Sequence, residues 1–292
     1  MGNDSQKVVL ITGASSGIGK ATAKLLSKNG YKVYGTSRKD IKSDFFEMVQ
    51  MDVTDDTSVS NAIDYIVKKE GKIDILINNA GVGVAGPIED TYIDEVRHQF
   101  EINFIGVVKT CQKVLPVMRE KGGGLIINIA SMAGQIGLPF QGFYSASKFA
   151  VEGFSEALRL EVMQFGVDIV IVEPGDIATP FTSNRWIIHR HRKKEKTPYL
   201  NSFRKTIEII EKDEESGLPA EVVAKKILKI IRSKHRRFRY MPGSLSQRIV
   251  FILKRFLPYK LYSNILISHY KVPKFSKKNK ENRYITSFKL SI

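Results

Sequence analysis

Along the first 180 residues, short apolar β-branched runs alternate with stretches whose apolar residues recur at helical spacing. The runs predict strands over 8–12, 32–36, 47–51, 73–77, 125–129 and 168–172. The periodic stretches predict helices over 18–29, 57–70, 92–119 and 146–165. Strand and helix alternating in this way predict a parallel sheet covered on both faces, a doubly wound α/β architecture of Rossmann type. In such sheets ligands lie beyond the carboxyl ends of the strands, so residues that follow a predicted strand become candidates for chemistry.

After Pro180 the pattern loosens. Residues 181–200 form a polar, basic stretch with Trp186 and two histidines, and read as a long mobile insertion. A helix is predicted over 219–232, with Pro219 near its first turn, and an edge strand over 237–241. From Ser244 onward short apolar runs are broken by basic residues and end in a lysine-rich stretch. The expected organisation is one catalytic domain over 1–243, with a substrate loop at 177–218, and a basic extension over 244–292.

Composition sharpens this picture only at the C-terminal end. The chain has 292 residues, 42% of them hydrophobic and 26% charged, enough for a sizeable core and ordinary for a globular domain. The net charge of +16 is uneven: residues 1–180 hold 18 Lys/Arg and 22 Asp/Glu, whereas 181–292 hold 28 and 8. The whole positive excess therefore lies in the second segment, which suits a membrane surface, a nucleic acid or an acidic ligand, or simply a solvated lysine-rich face. Aromatic residues interleaved with the basic ones are sparse, which disfavours nucleic acid. The single cysteine, Cys111, excludes an internal disulfide and reads as a small buried apolar side chain in a reducing compartment. The run over 8–11 is too short for a signal-peptide core, and no stretch approaches the ~20 apolar residues of a membrane span. Met1-Gly2 opens like a myristoylation signal, but Gln6 stands where Ser or Thr is needed. The expectation is a cytoplasmic protein, peripheral on a membrane at most.

The first predicted strand runs into Thr12-Gly13-Ala14-Ser15-Ser16-Gly17-Ile18-Gly19 and then a helix. Glycines at such a turn let backbone N–H groups approach a pyrophosphate at the positive end of the helix. At the end of the second strand, an acid would bond a ribose hydroxyl and a base would favour a 2′-phosphate. Here the order is Ser37-Arg38-Lys39, with no acid before Asp40, so NADP(H) is expected over NAD(H).

Tyr144 and Lys148 are spaced to share one helix face. A nearby ammonium would help a phenol exchange protons at neutral pH. Ser131 follows the strand over 125–129 and could polarise a substrate oxygen beside Tyr144. Asn79-Ala80-Gly81 and Pro174-Gly175 end two more strands and suit close backbone approach to a ligand.

This set of motifs, in this order over roughly 7–180, closely resembles the short-chain dehydrogenase/reductase family, and the turn Gly-x-x-x-Gly-x-Gly is that family's version. The resemblance implies Tyr144 as general acid/base, with Lys148 lowering its pKa and binding the nicotinamide ribose. Ser131 would position the substrate oxygen, and Asn103 would hold a water in a proton relay. Gly13, Ser15, Ser16, Gly17, Ile18 and Gly19 would cradle the phosphates, and Asp52 and Val53 the adenine. Asn79, Ala80 and Gly81 would support the cofactor, with Ile177 and Thr179 at the carboxamide. No metal is implied; His189 and His191 lie in a basic loop and read as solvated.

The apolar residues flanking Tyr144, over 138–143 and 149–154, resemble the family's steroid- and retinoid-type members. A lipophilic ketone, aldehyde or alcohol and a place in lipid metabolism are therefore expected, although helix packing explains some of these residues equally well. Leu245, Ile249, Val250, Ile252, Leu253 and Phe256 fall at near-helical spacing with Arg248, Lys254 and Arg255 between them. Such a helix could lie on an anionic membrane or pack on its own domain. Two other readings stay open: a nucleotide-binding regulatory protein, and a reductase of anionic acyl thioesters. By resemblance the protein is a homodimer or homotetramer.

Overall fold

A computed structural model of the chain describes residues 6–189 and 197–274. The six expected strands form, at β1 (Val8–Ile11), β2 (Lys32–Ser37), β3 (Glu47–Gln50), β4 (Ile75–Asn78), β6 (Gly124–Ile129) and β7 (Val167–Val172). β5 (Val84–Ala85) is a short extra strand outside this sheet. The edge strand expected over 237–241 is β11 (Arg239–Tyr240). Together they make a seven-stranded sheet, ordered β11-β7-β6-β4-β1-β2-β3, with every pair parallel.

Alternate residues of each central strand enter two separate cores. Leu10, Leu76, Ile126 and Ile169 face one side, and Ile11, Ile77, Ile127 and Val170 the other. Both faces must therefore be covered by helices, as period-two side-chain geometry requires. The first core is closed by α2 (Asp56–Glu70), α4 (Gly106–Glu120) and α5 (Gly142–Val162). The second is closed by α1 (Gly17–Lys28) and by the helix Ala220–Arg232, which follows Pro219 as expected.

The helix expected over 92–119 is split. It forms α3 (Ile93–Phe100), a π-helical turn (Glu101–Ile105) and then α4. Hydrophobic spacing cannot reveal the extra residue of a π-turn, and such turns tend to mark functional positions; this one holds Asn103. The stretch over 181–200, expected to be a mobile insertion, is ordered through residue 189. Trp186 and Ile187 (strand β9) pair with Val84 and Ala85, and Ile188 is fully buried. Glu95 accepts from the Trp186 Nε1 (3.2 Å) and the His189 amide (2.7 Å), tying this segment to α3. His191 and the lysine-rich end after 274 lie outside the described residues.

Two helices were not expected. α6 (Leu200–Glu215) buries Phe203, Ile207 and Ile210 against Ala85 and Phe140. Past strands β8 (Ile177–Ala178) and β10 (Leu218–Pro219), Ala220–Arg232 becomes α7 and the expected amphipathic helix becomes α8 (Leu245–Phe256). The second unexpected helix is α9 (Tyr259–His269). The spacings Leu200/Phe203/Ile207/Ile210 and Leu261/Tyr262/Ile265/Leu266 carried the signal for both.

Inside the first core a fully buried polar chain joins sheet to helices. Asn78 Nδ2 donates to Asn128 Oδ1 (2.9 Å), Thr110 Oγ1 donates to Asn78 Oδ1 (2.7 Å), and Asn128 Nδ2 donates to Ser155 Oγ (2.8 Å). Asn78 Nδ2 also reaches the Cys111 sulfur at 3.3 Å, and burial pushes that thiol up to about 12, so it is the inert packing residue expected. Because each amide in this chain is satisfied by another buried group, deleting one partner leaves a costly orphan. Ser155→Ala is expected to lower unfolding free energy by about 1–3 kcal/mol, read by urea denaturation. A loss inside the scatter of an exposed-serine control would show that the network carries no stability.

Candidate functional site

The carboxyl ends of β1, β2, β4, β6 and β7 open into one cavity of about 1390 Å³, and of the residues expected to bind and react all but Gly19 and Asn103 line it. Gly13 has φ +66°, and a Cβ there would sit 2.8 Å from the Ala80 Cα. At Gly19 a Cβ would meet the Gly13 carbonyl at 2.4 Å. Only glycine fits either place. Asn79 holds this turn, its Nδ2 donating to the carbonyls of Thr12 (2.9 Å) and Gly13 (3.0 Å). Thr12 Oγ1 accepts from the amides of Asn79 and Ala80, both at 2.9 Å. The turn and the β4 end thus form one rigid piece.

At its N-terminus α1 has no side-chain cap and no acidic residue in the first turn. Its N–H groups face the cavity beside Ser15, Ser16, Gly17 and Ile18, a donor set that fits a pyrophosphate. Ser37 and Arg38 lie at the end of β2, Arg38 exposed and with no carboxylate partner among the described residues. Asp52 Oδ1 accepts from the Thr54 amide and hydroxyl (2.9 and 2.8 Å), which fixes the β3 exit next to Val53. After β7, Pro174 O accepts from the Met132 amide (3.1 Å), and Thr179 packs against Gly17. Gly81, Gly175 and Ile177 complete this half of the wall.

The reactive half is built on α5, which begins at Gly142 and so includes Tyr144, earlier than the expected start at 146. Tyr144 and Lys148 are both buried. Ser131 and Tyr144 line the cavity together, and Lys148 Nζ donates to the Ile129 carbonyl at 2.9 Å. Lys148 Nζ lies 5.9 Å from the Tyr144 ring centre. Burial raises the phenol to about 12 and lowers the ammonium to about 8. Lys148 was expected to lower the Tyr144 pKa; in the chain itself desolvation outweighs any such help. What does lower it is the Ser131 hydroxyl, with the charge of Arg185.

Asn103 has a task the sequence did not announce. Its Oδ1 accepts from the Val82 amide (2.9 Å), and its Nδ2 donates to the Val82 carbonyl (3.0 Å) and to Ser147 Oγ (3.2 Å). It pins the segment after β4 to α5. Of the apolar residues flanking Tyr144, Leu138 lines the cavity, Phe140 packs on Phe203 (5.6 Å between ring centres) and Phe154 on Phe104 (6.0 Å). Those two phenylalanines are packing residues. The cavity also takes in residues not singled out from sequence: Gln141, Asp176, Phe181, Asp213, Glu214 and Gln247. Phe181 lies 5.7 Å from the Tyr144 ring.

The chain belongs to the short-chain dehydrogenase/reductase family: the profile described as short chain dehydrogenase matches residues 7–187. It is 46% identical over 253 residues to the 3-ketodihydrosphingosine reductase of Bacteroides thetaiotaomicron, covering 86% of this chain and 93% of that protein. It is 35% identical over 249 residues to the NADPH-dependent 3-dehydrocapnine reductase of Ornithobacterium rhinotracheale, covering 80% and 87%. A short-chain dehydrogenase from Streptomyces avermitilis superposes with a TM-score of 0.77 at 28% identity, covering 93% of this chain and 100% of that one. The protein is thus an oxidoreductase on a nicotinamide-nucleotide-binding fold.

The two shifted groups set a pH dependence with a definite sign. Below about 12 the phenol holds its proton and can donate it; below about 8 Lys148 is cationic and can stabilise the phenolate that donation leaves. Carbonyl reduction is therefore expected to be flat through neutral pH and to decline as pH rises through about 8. Lys148→Met should be slow throughout and lack that inflection. A kcat/KM profile of the wild type that stays flat across this range would remove Lys148 from the chemistry.

Proposed function

We propose that the protein reduces the carbonyl of a lipophilic substrate with NADPH, Tyr144 supplying the proton. The observation that carries this reading is that buried Tyr144, Lys148 and Ser131 line one cavity together with the glycine turn. The cofactor, bound along the turn and the strand ends, supplies a hydride. Ser131 and Tyr144 polarise the carbonyl oxygen, Tyr144 protonates it, and Lys148 stabilises the phenolate and holds the ribose hydroxyls. Asn103 keeps the β4 end in register with α5 and is the residue to which a relay water is assigned. Arg38 and Ser37, with no acid at the β2 end, support the 2′-phosphate, and the NADPH dependence named for the Ornithobacterium relative agrees. We take 1–243 as the catalytic unit with its substrate loop at 177–218, and 244–292 as the extension. Exposed Leu160, Met163 and Phe165 at the end of α5 support a homodimer or homotetramer.

NADPH oxidation should be followed with long-chain 3-ketones, retinaldehyde and steroid ketones. Tyr144→Phe is expected to lower kcat/KM by about 10²–10⁴-fold. Arg38→Asp should reverse the preference for NADPH over NADH. Absence of turnover on every carbonyl offered would sink the reductase reading, and an unchanged cofactor ratio would sink the role of Arg38.

The extension supports a peripheral membrane contact. Val250 and Phe251 on α8, and Ile265 and Leu266 on α9, line the cavity, so this hairpin is a wall of the site. It exposes Leu245 and Phe256, each 75% accessible, with Leu261 and the basic Arg248 and Lys260. No helix among the described residues is long and apolar enough to cross a membrane. An apolar face rimmed by cations fits an anionic lipid surface, from which a lipophilic substrate could enter beside the hairpin. The protein should co-sediment with phosphatidylserine-containing vesicles more than with phosphatidylcholine alone, and less when Leu245 and Phe256 are both serine. Equal sedimentation of the double variant overturns this contact.

A further inference from the structure

The segment after Pro180 is the most basic part of the chain, yet several side chains it turns towards Tyr144 are acidic. Asp213 and Glu214, at the end of α6, line the cavity together with Asp176, which follows β7. Two of these carboxylates already have counter-groups. Asp213 Oδ2 is 2.9 Å from His269 Nε2. Glu214 takes the Arg185 Nη2 on both oxygens (2.5 and 2.6 Å) and the Thr182 hydroxyl (2.6 Å). Asp176 is different: its hydrogen-bond partner is the neutral Gln247 amide. The charges acting most on Asp176 are the carboxylates of Glu214 and Asp213, with His269 as a lesser opposing charge; together with burial they hold its carboxyl up at about 6. At neutral pH it is mostly ionised and lacks a strong cation of its own.

A second observation points to a ligand in the same cavity. Gln141 lies one helical turn before Tyr144, is 4% exposed, lines the cavity, and its Nε2 has no hydrogen-bond partner among the described residues. A buried amide donor left without an acceptor is costly unless a ligand supplies one. The site therefore offers, around one tyrosine, a carboxylate short of a cation and an amide short of an acceptor.

We propose that Asp176 and Gln141 form a head-group subsite for an ammonium and a neighbouring oxygen carried next to the reacting carbonyl. The substrate is then an amino ketone with a polar head and an apolar chain, the ammonium paired with Asp176 and a hydroxyl or similar oxygen accepting from Gln141. The chain lies along Leu138, Phe181, Val250, Phe251 and Leu266, which line the same cavity. This deepens the reductase reading and rests on it for the carbonyl. A built carboxylate also rejects substrates that carry an anion at that point, and a built hydrogen-bond donor rejects those with nothing to accept.

Binding separates this subsite from the catalytic reading, because it needs no turnover. The probes are a long-chain 2-amino-1,3-diol and its N-acetyl derivative, titrated calorimetrically into the full chain loaded with NADP near neutral pH. The free amine is expected to bind roughly 10–100-fold more tightly than the acetylated form, the range of a charged hydrogen bond. Asp176→Asn keeps the acceptor for Gln247 and should reduce that preference to within about threefold. Gln141→Leu should weaken both ligands together, and its thermal unfolding midpoint reports whether the start of α5 has kept its fold. Equal binding of amine and amide by the wild type, or a preference that survives Asp176→Asn, overturns the subsite whether or not the protein reduces any ketone. Tight, Asp176-dependent amine binding without turnover of the matching ketone would uphold the subsite and overturn the reductase reading instead.

Discussion

The catalytic end of the molecule depends on how α5 is seated on β6. Two contacts from adjacent residues of the strand set it: Asn128 donates to Ser155 at 2.8 Å, and the Ile129 carbonyl accepts from Lys148 at 2.9 Å. Ser155 and Lys148 are two helical turns apart, so together they fix both the height and the rotation of the helix on the sheet. Tyr144, one turn further towards the N-terminus, then projects beyond the strand end, where the chain leaving β6 has delivered Ser131. Arg239 on β11 adds a third brace, its Nε donating to Glu152 on the same helix at 2.9 Å. None of these bonds is strong alone. In the interior, where water cannot replace a lost partner, they act as a register lock.

The same burial that makes the lock rigid sets the electrostatics of the site. Desolvation moves the phenol and the ammonium in opposite directions, up to about 12 and down to about 8, because each loses its charged form on leaving water. An acid so held keeps its proton until a substrate oxygen needs it, and a cation so held is ready to give up part of its hydration to a phenolate. Burial thus drives the proton affinities of the two groups apart, and the Ser131 hydroxyl pulls the phenol part of the way back.

The strands, their parallel sense and the glycine turn were legible because they rest on local rules. Alternating runs give buried strands, and a glycine turn between β1 and α1 has few other uses. Tyr144, Lys148 and Ser131 were legible as one set only through their joint order along the chain. What escaped was set by tertiary contact. Asn103 could be named, but not its grip on both backbone polar groups of Val82, because that needs a π-turn no periodicity reveals. Residues 181–189 looked loose because they are polar, yet Glu95 on α3 and Glu214 on α6 give Trp186, His189 and Arg185 partners from distant helices. α6 was missed although Phe203, Ile207 and Ile210 have helical spacing, since the charged residues between them dilute the pattern. Asp176 was passed over as one acid after a strand; its neighbours come from α6, far along the chain.

The charge asymmetry of the chain resolves into two faces of one segment. Among the described residues its Lys225, Lys229, Arg232, Arg248, Lys254 and Lys260 are exposed, where solvation costs little and an anionic surface can be met. Two of its few acids, Asp213 and Glu214 at the end of α6, line the cavity that holds Tyr144, where they meet Asp176 from the end of β7. A segment evolving only for solubility has no need to sort its charges in this way, since both signs are equally well hydrated outside. Sorting costs stability, because Asp176, Asp213 and Glu214 repel one another across a partly desolvated wall. Such a cost persists in folded proteins chiefly where function uses it. On the reading proposed above the two faces act together, the outer one meeting a surface that holds amphiphilic molecules and the inner wall selecting among their head groups.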